Sequence, residues 1–598
     1  MVGLPFDCVA NPLGAVRLTF EKAVSSGSDP ETFNGKDWGA IDLFREFLFD
    51  KDGLSQVPIL DPDSIRWLPP NSLVRFRGMV QDMLGNELYV GVFKDGTTWR
   101  TNKFMDVASS PMDSSSEMRI WERRVLYCVP VPGQASWIES STETAISRCH
   151  NSTFQHGEKR LREDDAAIDH MDSNVLEHEL KGSPPSAKKM REGEFPCQSS
   201  QPQESSEETS RLLHMMPEFD KNSLPCIIKV YDSPESDLKL NEIFEFIGVF
   251  TYDPELTVHK DNSDEILSDF CEDALADLPP NKVPRLHCLV HRKLGGQDFL
   301  HCSPIIEPMP NIIRGIREAL LGHLTSILGN DGVAAHCMLL HLLSKVHTRV
   351  DTVAVGKLSL NLTGFTKEGI SVFGNQLNLA IQSLLPFTRY VPLTLEYLNA
   401  ASLAPTKDYQ TNRLVTGVLQ LAEGTHVTID ETQLKAGTLN STGVDNVRLL
   451  KNLMEWQKVE YNFEYYKVEM MADVQLLVFS EGKSNILPAD LVLPFRPSAV
   501  GLFESCNAEA LQVWRWYLST VRSFPHSIEP EMQKTVENDL VEARQADRSL
   551  GSHDFSRLLT MARLMSVSFG ETCLSLEHWQ MVKELERLRQ ERLKEIRE

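Results

Sequence analysis

Residues 134–223 split a strand-rich pattern in two, and this interruption limits the possible folds more than any other feature. The stretch is dominated by Ser, Glu, Asp, Lys and Pro, with few consecutive apolar residues. It cannot bury enough surface to offset its ordering entropy and is expected to be disordered. On its N-terminal side side chains alternate along Leu73–Met83, with Gly78 marking a bulge or sharp coil, then along Leu88–Phe93 after a predicted Gly85-Asn86 turn, and along Arg123–Gly133. On its C-terminal side the alternation resumes at Pro225–Asp232, Leu238–Phe250 and, beyond an acidic loop at Asp253–Asp277, Val283–Leu294. An insertion that leaves at a loop lets both halves complete one sheet. The short strands therefore predict a small closed barrel of OB-fold type in two parts, 71–133 and 224–310.

The flanking regions follow other periods. Residues 1–70 read as a helical segment, in which Asp37–Asp50 carries Ile41, Phe44, Phe47 and Leu48 on one face. Across 311–500, helices (Ile312–Gly329, Val333–Arg349, Ser371–Pro386, Val444–Lys458) interleave with strands (Lys357–Phe365, Tyr390–Asn399, Thr425–Thr432, Val474–Ser484). That alternation predicts a mainly parallel sheet covered on both faces. Residues 501–598 are expected to be helical, ending in a charged helix with Trp579, Val582, Leu585 and Leu588 as a thin apolar stripe.

A formal charge of −24 opposes a main role in coating nucleic acid, which calls for a strongly basic surface. The 11 cysteines are dispersed and form no Cys-x-x-Cys pair, which fits a reducing compartment rather than a disulfide framework. The N-terminus does not read as a signal peptide, and no run approaches the roughly 18 apolar residues of a membrane span. Cytosol or nucleus is the expectation. Two basic runs, Lys159-Arg160-Leu161-Arg162 and Lys188-Lys189-Met190-Arg191, are candidate nuclear-import signals, and Ser183 before Pro184 is a candidate phosphorylation site.

The sharpest chemical signal is Val427-Thr428-Ile429-Asp430-Glu431, an apolar segment ending in two carboxylates. ATPases use such a strand end to hold magnesium and polarise the attacking water. The strand near Leu358–Leu362 stands where a phosphate loop should follow, yet Leu362-Thr363-Gly364-Phe365-Thr366-Lys367-Glu368-Gly369 lacks the G-x-x-x-x-G-K-[ST] order. Gly482-Lys483-Ser484 follows the wrong strand, and Gly356-Lys357-Leu358-Ser359 precedes one. Strand-end carboxylates also arise without any function, but beside the Leu358–Leu362 strand Asp430 and Glu431 read as vestiges of a nucleotide site, with no catalytic residue and no cofactor expected.

His287, Cys288, His291, His301 and Cys302 cluster in sequence, but alternation puts Cys288 and His291 on opposite strand faces, so no metal is expected. His336, His341 and His347 lack metalloprotease spacing and read as structural. No nucleophile elbow is present. Arg75, Phe76, Arg77, Tyr89 and Phe93 offer the aromatic and basic mixture of a single-strand binder, but the two arginines face away from Phe76. Direct nucleic-acid binding is expected to be weak or absent.

Several longer runs are specific in combination: Asn11–Gly14, Val74–Met83, Tyr127–Gly133, Lys407–Tyr409 with Asn412–Val415, Ile429–Thr432, and Ser480–Ser484 with Leu487–Asp490. On these the chain resembles the minichromosome maintenance complex-binding protein family over nearly its whole length. The resemblance implies a nuclear, non-enzymatic partner of the replicative helicase subunits that promotes release of the complex from chromatin late in S phase and supports sister-chromatid cohesion. It also implies distant kinship with those subunits. The expected architecture is thus α+β and multidomain: an OB-like barrel with a long disordered insertion, a degenerate AAA+-like α/β domain without a phosphate loop, and a lid-like helical C-terminal region in which Phe555–Glu571 matches the lid pattern. An active AAA+ remodeller and a single-stranded-DNA-binding factor are the competing readings.

Overall fold

The computed structural model describes residues 7–106, 117–138, 224–252, 278, 283–300, 308–498 and 507–595, except positions 34, 233, 235, 236 and 485. All of them fall in one contact unit, Met1–Thr144 together with Pro217–Glu598. The chain is a mixed α+β protein with several sheets.

The entry begins with α1 (Pro12–Ser25), whose Asn11 cap accepts the Gly14 amide at 3.0 Å while Pro12 occupies the first turn. Phe20 on its buried face meets Trp38 edge-on, ring centroids 4.9 Å apart. The helix expected over Asp37–Asp50 starts later, as α2 (Ala40–Arg45) after Gly39 at φ +100°, and then widens into a π turn over Glu46–Asp50. Phe44 and Leu48 are buried as expected.

The strands are β1 (Leu73–Asp95), β2 (Thr98–Thr101), β3 (Met118–Val129), β4 (Cys226–Val230), β5 (Ile243–Thr251) and β6 (Arg285–Lys293), in the order β2-β1-β3-β4-β6-β5. β5 also pairs with the first part of β1, from Leu73↔Val249 to Met79↔Ile243, so five of the strands close into a barrel with β2 attached. The predicted Gly85-Asn86 turn is instead part of one long strand. Its register against β3 shifts between Val80 and Asp82, Met83 and Gly85, and Val90 and Val92. These bulges bend β1 far enough to pair with β5 along its first half and with β2 at its end. Phe76, Val80, Leu126, Ile228, Phe246 and Leu286 fill one buried cluster within the ring. Gln134–Ile138, the first residues of the segment expected to be disordered, are described: Gln134 bridges Phe387, and the Trp137 indole donates to Gln382 O at 3.0 Å.

After α3 (Pro310–Ile327), α4 (Gly332–Leu343) and the hairpin β7 (Thr348–Val350) and β8 (Val353–Val355), the chain builds two sheets. The strands and helices involved are β9 (Leu360–Thr363), α5 (Asn375–Leu384), β10 (Thr388–Pro392), α6 (Leu395–Ala400), β11 (Thr406–Asp408), β12 (Arg413–Val415), β13 (His426–Asp430), α7 (Ser441–Trp456), β14 (Lys458–Asn462), β15 (Lys467–Met471), β16 (Gln475–Ser480) and β17 (Leu491–Pro494). The first sheet is parallel throughout, in the order β10-β13-β16-β9-β17. β9, β13 and β16 are buried along their whole length, as strands covered on both faces must be. The strand expected over Tyr390–Asn399 stops at Pro392, and Thr394 caps α6 by accepting the Tyr397 amide at 3.0 Å. The second sheet, β12-β11-β14-β15, was not legible as a unit because its strands are short and far apart in sequence.

The C-terminal helices α8 (Ala508–Val521), α9 (Pro530–Ala546), α10 (Ser552–Ser568) and α11 (Leu576–Glu595) share one core with the parallel sheet. Leu360 and Phe479 of the sheet belong to the same cluster as Tyr517, Met561 and Trp579 of the helices. Among the described residues, no helix is long and apolar enough to cross a membrane.

Candidate functional site

Parallel sheets place ligands at the carboxyl ends of their strands, where the strand order reverses. Here that edge carries Asp430, Ser480 and the turn after β9. Asp430 is fully buried and already saturated: Oδ1 accepts the Thr432 amide (3.0 Å) and hydroxyl (2.6 Å), and Oδ2 accepts the Tyr390 hydroxyl (2.8 Å). Burial, and next the hydrogen bond to Asp430, push the Tyr390 phenol well up. The neighbouring Glu431 carboxyl is raised by burial, with its Oε2 unpartnered.

A phosphate cradle needs backbone N–H groups aimed at empty space. In the turn after β9 four of these groups are already bonded. The Gly364 amide donates to Glu481 O (3.0 Å) and the Phe365 amide to Ser480 O (3.1 Å), both on the neighbouring chain segment. Gly369 N donates to the Thr366 hydroxyl (3.1 Å) and Ile370 N to Thr366 O (2.9 Å). Gly364, at φ +91°, lets the chain turn so that the Phe365 ring points inward. Phe365 is 1 % exposed, stacked on Phe495 and packed against Phe479. The inside of this turn is filled with aromatic carbon.

Both other Gly-Lys segments are structural. Lys357 donates to both oxygens of Asp490 (2.8 and 2.9 Å), and Ser359 adds its hydroxyl at 2.7 Å. Burial alone would raise Asp490, but contacts with His553 and Lys357 bring its carboxyl down to about 2. The Ser484 hydroxyl accepts the Ile486 and Leu487 amides, closing a turn.

The barrel residues read as a strand-binding mixture are dispersed. Phe76 is interior, and Tyr89 packs edge-on against Tyr231 at 5.5 Å. Arg77 (2.8 Å), Arg292 (2.8 Å) and Arg75 (3.8 Å) converge on the buried carboxylate of Glu245. The histidine–cysteine set is only partly divided. His287 bonds the Tyr231 hydroxyl through Nδ1 at 2.8 Å, but Cys288 lies in the barrel interior and His291 packs against Phe244 and Phe246 of the same cluster, because a register shift between Ile247 and Gly248 breaks the alternation expected to put Cys288 and His291 on opposite faces. His301 and Cys302 lie outside the described residues, as do Lys159, Arg160, Arg162, Ser183, Lys188, Lys189 and Arg191. Among the described residues no group of three or more ligating side chains could hold a metal.

One polar cluster had no sequence signal. Arg123 and Lys229, both almost fully buried, share Glu87 and Asp106: Arg123 sits 2.8 and 3.0 Å from them, and Lys229 3.2 and 2.5 Å. Four strands or loops meet there, so only the folded barrel brings these charges together.

The family described as Mini-chromosome maintenance replisome factor matches residues 44–593. The chain belongs to this family. It is 58 % identical to a Mini-chromosome maintenance complex-binding protein of Arabidopsis thaliana over 596 residues, 99 % of this chain and all of the relative. It is 34 % identical to the protein of that name from Salmo salar, covering 98 % of this chain and 97 % of the relative, and 32 % identical to that of Homo sapiens, covering 98 % of each. In this member of the replisome factor family, sequence runs that carried the resemblance meet in space. Gln81 Nε2 donates to Leu414 O (2.7 Å) and Leu414 N to Asp82 Oδ2 (2.8 Å), joining the barrel to the second sheet. Likewise Glu431 N donates to Phe479 O (2.9 Å) beside the Ser480–Ser484 turn.

Proposed function

We propose that the chain binds the mini-chromosome maintenance complex and acts in DNA replication as a non-catalytic imitation of a helicase subunit. The relatives' name supports the binding. One observation carries the imitation. Numbered along the chain, the parallel sheet runs 2-3-4-1-5, Asp430-Glu431 ends its third strand, and the turn after its first strand holds the buried Phe365 ring, with the Gly364 and Phe365 amides already bonded. This order and the Asp-Glu edge support an AAA+-like core whose phosphate loop is lost, and the closed five-strand barrel supports an OB-like reading. A subunit-shaped protein without nucleotide would occupy a subunit's position and deny its neighbour an ATP interface. That is how it would favour an open ring and release from chromatin late in S phase, with cohesion supported downstream. Nuclear entry through the two basic runs, with Ser183 as a phosphorylation site, belongs to the same proposal.

The test has two arms. In size exclusion the purified chain should co-migrate with helicase subunits; failure to bind any of them sinks the proposal. In calorimetry magnesium-ATP should give no heat of binding, and a saturable isotherm would restore the active-ATPase reading.

A further inference from the structure

We propose that the tyrosine-rich tip of the β14–β15 hairpin is the surface that grips a helicase subunit, a proposal that rests on the function proposed above. The hairpin pairs from Lys458↔Met471 to Asn462↔Lys467 and closes through Phe463–Tyr466, with Phe463 N donating to Tyr466 O at 2.9 Å and Glu464 at φ +58°. Phe463 and Tyr466 stack with centroids 5.1 Å apart and planes 1° from parallel. From the loop after β11, Tyr409 brings its ring to 5.7 Å from Tyr465 and donates its hydroxyl to Phe463 O at 3.1 Å. Despite this internal order the rings face water: Tyr465 is 81 %, Tyr466 58 % and Tyr409 46 % exposed. Val415 lies in the same row across the sheet, through Thr406 and Asn462, and is also exposed. A cluster of exposed aromatic rings of this kind marks an interaction site, and tyrosine is among the residues that dominate binding energy.

The tip stands on a fixed base. Next to it, the Tyr461 hydroxyl bonds Asn241 (2.7 Å), Leu414 is held by Gln81 and Asp82, and the Arg413 guanidinium lies 4.3 Å from the centre of the Tyr127 ring. Rings presented on such a mount lose little freedom on docking, which favours affinity. Charge decides the class of partner. A single-strand stacking platform pairs aromatic rings with a positive groove. Here Lys467 and Arg448 are both spent on Glu460 and Lys458 on Glu469, whereas Glu464 at the tip has no ion pair among the described residues. The complementary surface is therefore a protein groove with an apolar floor, acceptors for the two phenols and a Lys/Arg rim.

The full chain and a Tyr465→Ser/Tyr466→Ser variant are titrated against purified helicase complex by interferometry and, separately, against oligo-dT. Both rings are exposed, so the urea midpoint should hold. Helicase affinity should fall at least about tenfold, and Glu464→Lys, which keeps the rings, should also weaken binding, most at low salt. Equal affinity of wild type and double variant overturns this proposal and leaves the function intact. If the wild type fails to bind, both fall. Loss of oligo-dT binding with helicase affinity unchanged overturns it in favour of a strand-binding tip. If the double variant shifts the urea midpoint, the Glu464→Lys result decides.

Discussion

Phe365 lies flat on Phe495, ring centroids 4.8 Å apart and planes 4° from parallel, at the turn after β9. Removing the ring would empty a buried site that the surrounding strands cannot collapse around. Phe365→Ala should cost about 3–5 kcal/mol in urea unfolding. It should still give no magnesium-ATP binding in calorimetry, because Gly364 N and Phe365 N remain bonded to the neighbouring carbonyls. A variant that gains nucleotide affinity would show that the plug alone closes the site.

His341 and His426 meet Nε2 to Nε2 at 3.0 Å in the core beneath the parallel sheet. His341 Nδ1 must donate to Leu358 O (2.7 Å), so its Nε2 accepts from His426 and both rings are neutral. Burial lowers both groups, with Arg522 adding to it, and His341 falls to about 4. Below the ordinary value of 6.5 the unfolded chain takes up protons that the folded chain refuses. Stability is therefore full above pH 6.5 and declines as pH falls toward about 4, by up to roughly 1.4 kcal/mol per pH unit for each group. Urea midpoints between pH 7 and pH 4 should show this slope, and His426→Gln should reduce it.

Glu245, completely buried, faces Arg75, Arg77 and Arg292, the last of which also lies 4.0 Å from Asp298. Burial alone would raise it, but these arginines hold it below the usual carboxylate range. Its contribution is present above the unfolded value near 4.5 and is lost as pH falls through the lower folded value. Glu245→Gln keeps the shape and removes the charge that the three guanidinium groups share. It should destabilise by about 3–5 kcal/mol at pH 7, with a smaller difference from wild type in acid. Chemical denaturation at both pH values checks it.

Asp331 caps α4 by accepting the Ala334 amide (3.0 Å) and also takes both guanidinium nitrogens of Arg592 (2.7 and 2.8 Å), fastening α11 to the start of α4. Asp331→Ala removes cap and ion pair together and should cost about 3 kcal/mol. Asp331→Asn keeps the cap, so the loss should be smaller. Proteolysis near residue 592 should rise more in Asp331→Ala than in Asp331→Asn.

Much of the fold was legible because burial writes a period into the chain. The strand ending at Asp430 and the helix that follows it depend on neighbours within a few residues, and both stand close to where the pattern puts them. The missing phosphate loop was equally local, since it needs a fixed order of glycine, lysine and hydroxyl. The long β1 was not legible: Gly85 in a hairpin turn and Gly85 at a bulge have the same sequence, and only pairing with β3 and β5 distinguishes them. The second sheet was hidden because β11 and β14 touch at a single residue pair, Thr406↔Asn462, far apart along the chain.

The sequence by itself determined the apolar periods, the family and the absence of a phosphate-loop motif. Tertiary structure decided which aromatic rings are buried and which face water. Phe365 inward and Tyr465 outward are aromatic side chains of similar size beside similar turns, and no local pattern separates them. Their difference comes from the partners that long-range pairing supplies: Phe479 and Phe495 close over Phe365, whereas the β14–β15 hairpin carries Tyr465 past the last paired residue, Asn462. Hydrophobic burial depends on area removed from water, and for each ring that area is set by residues tens of positions away.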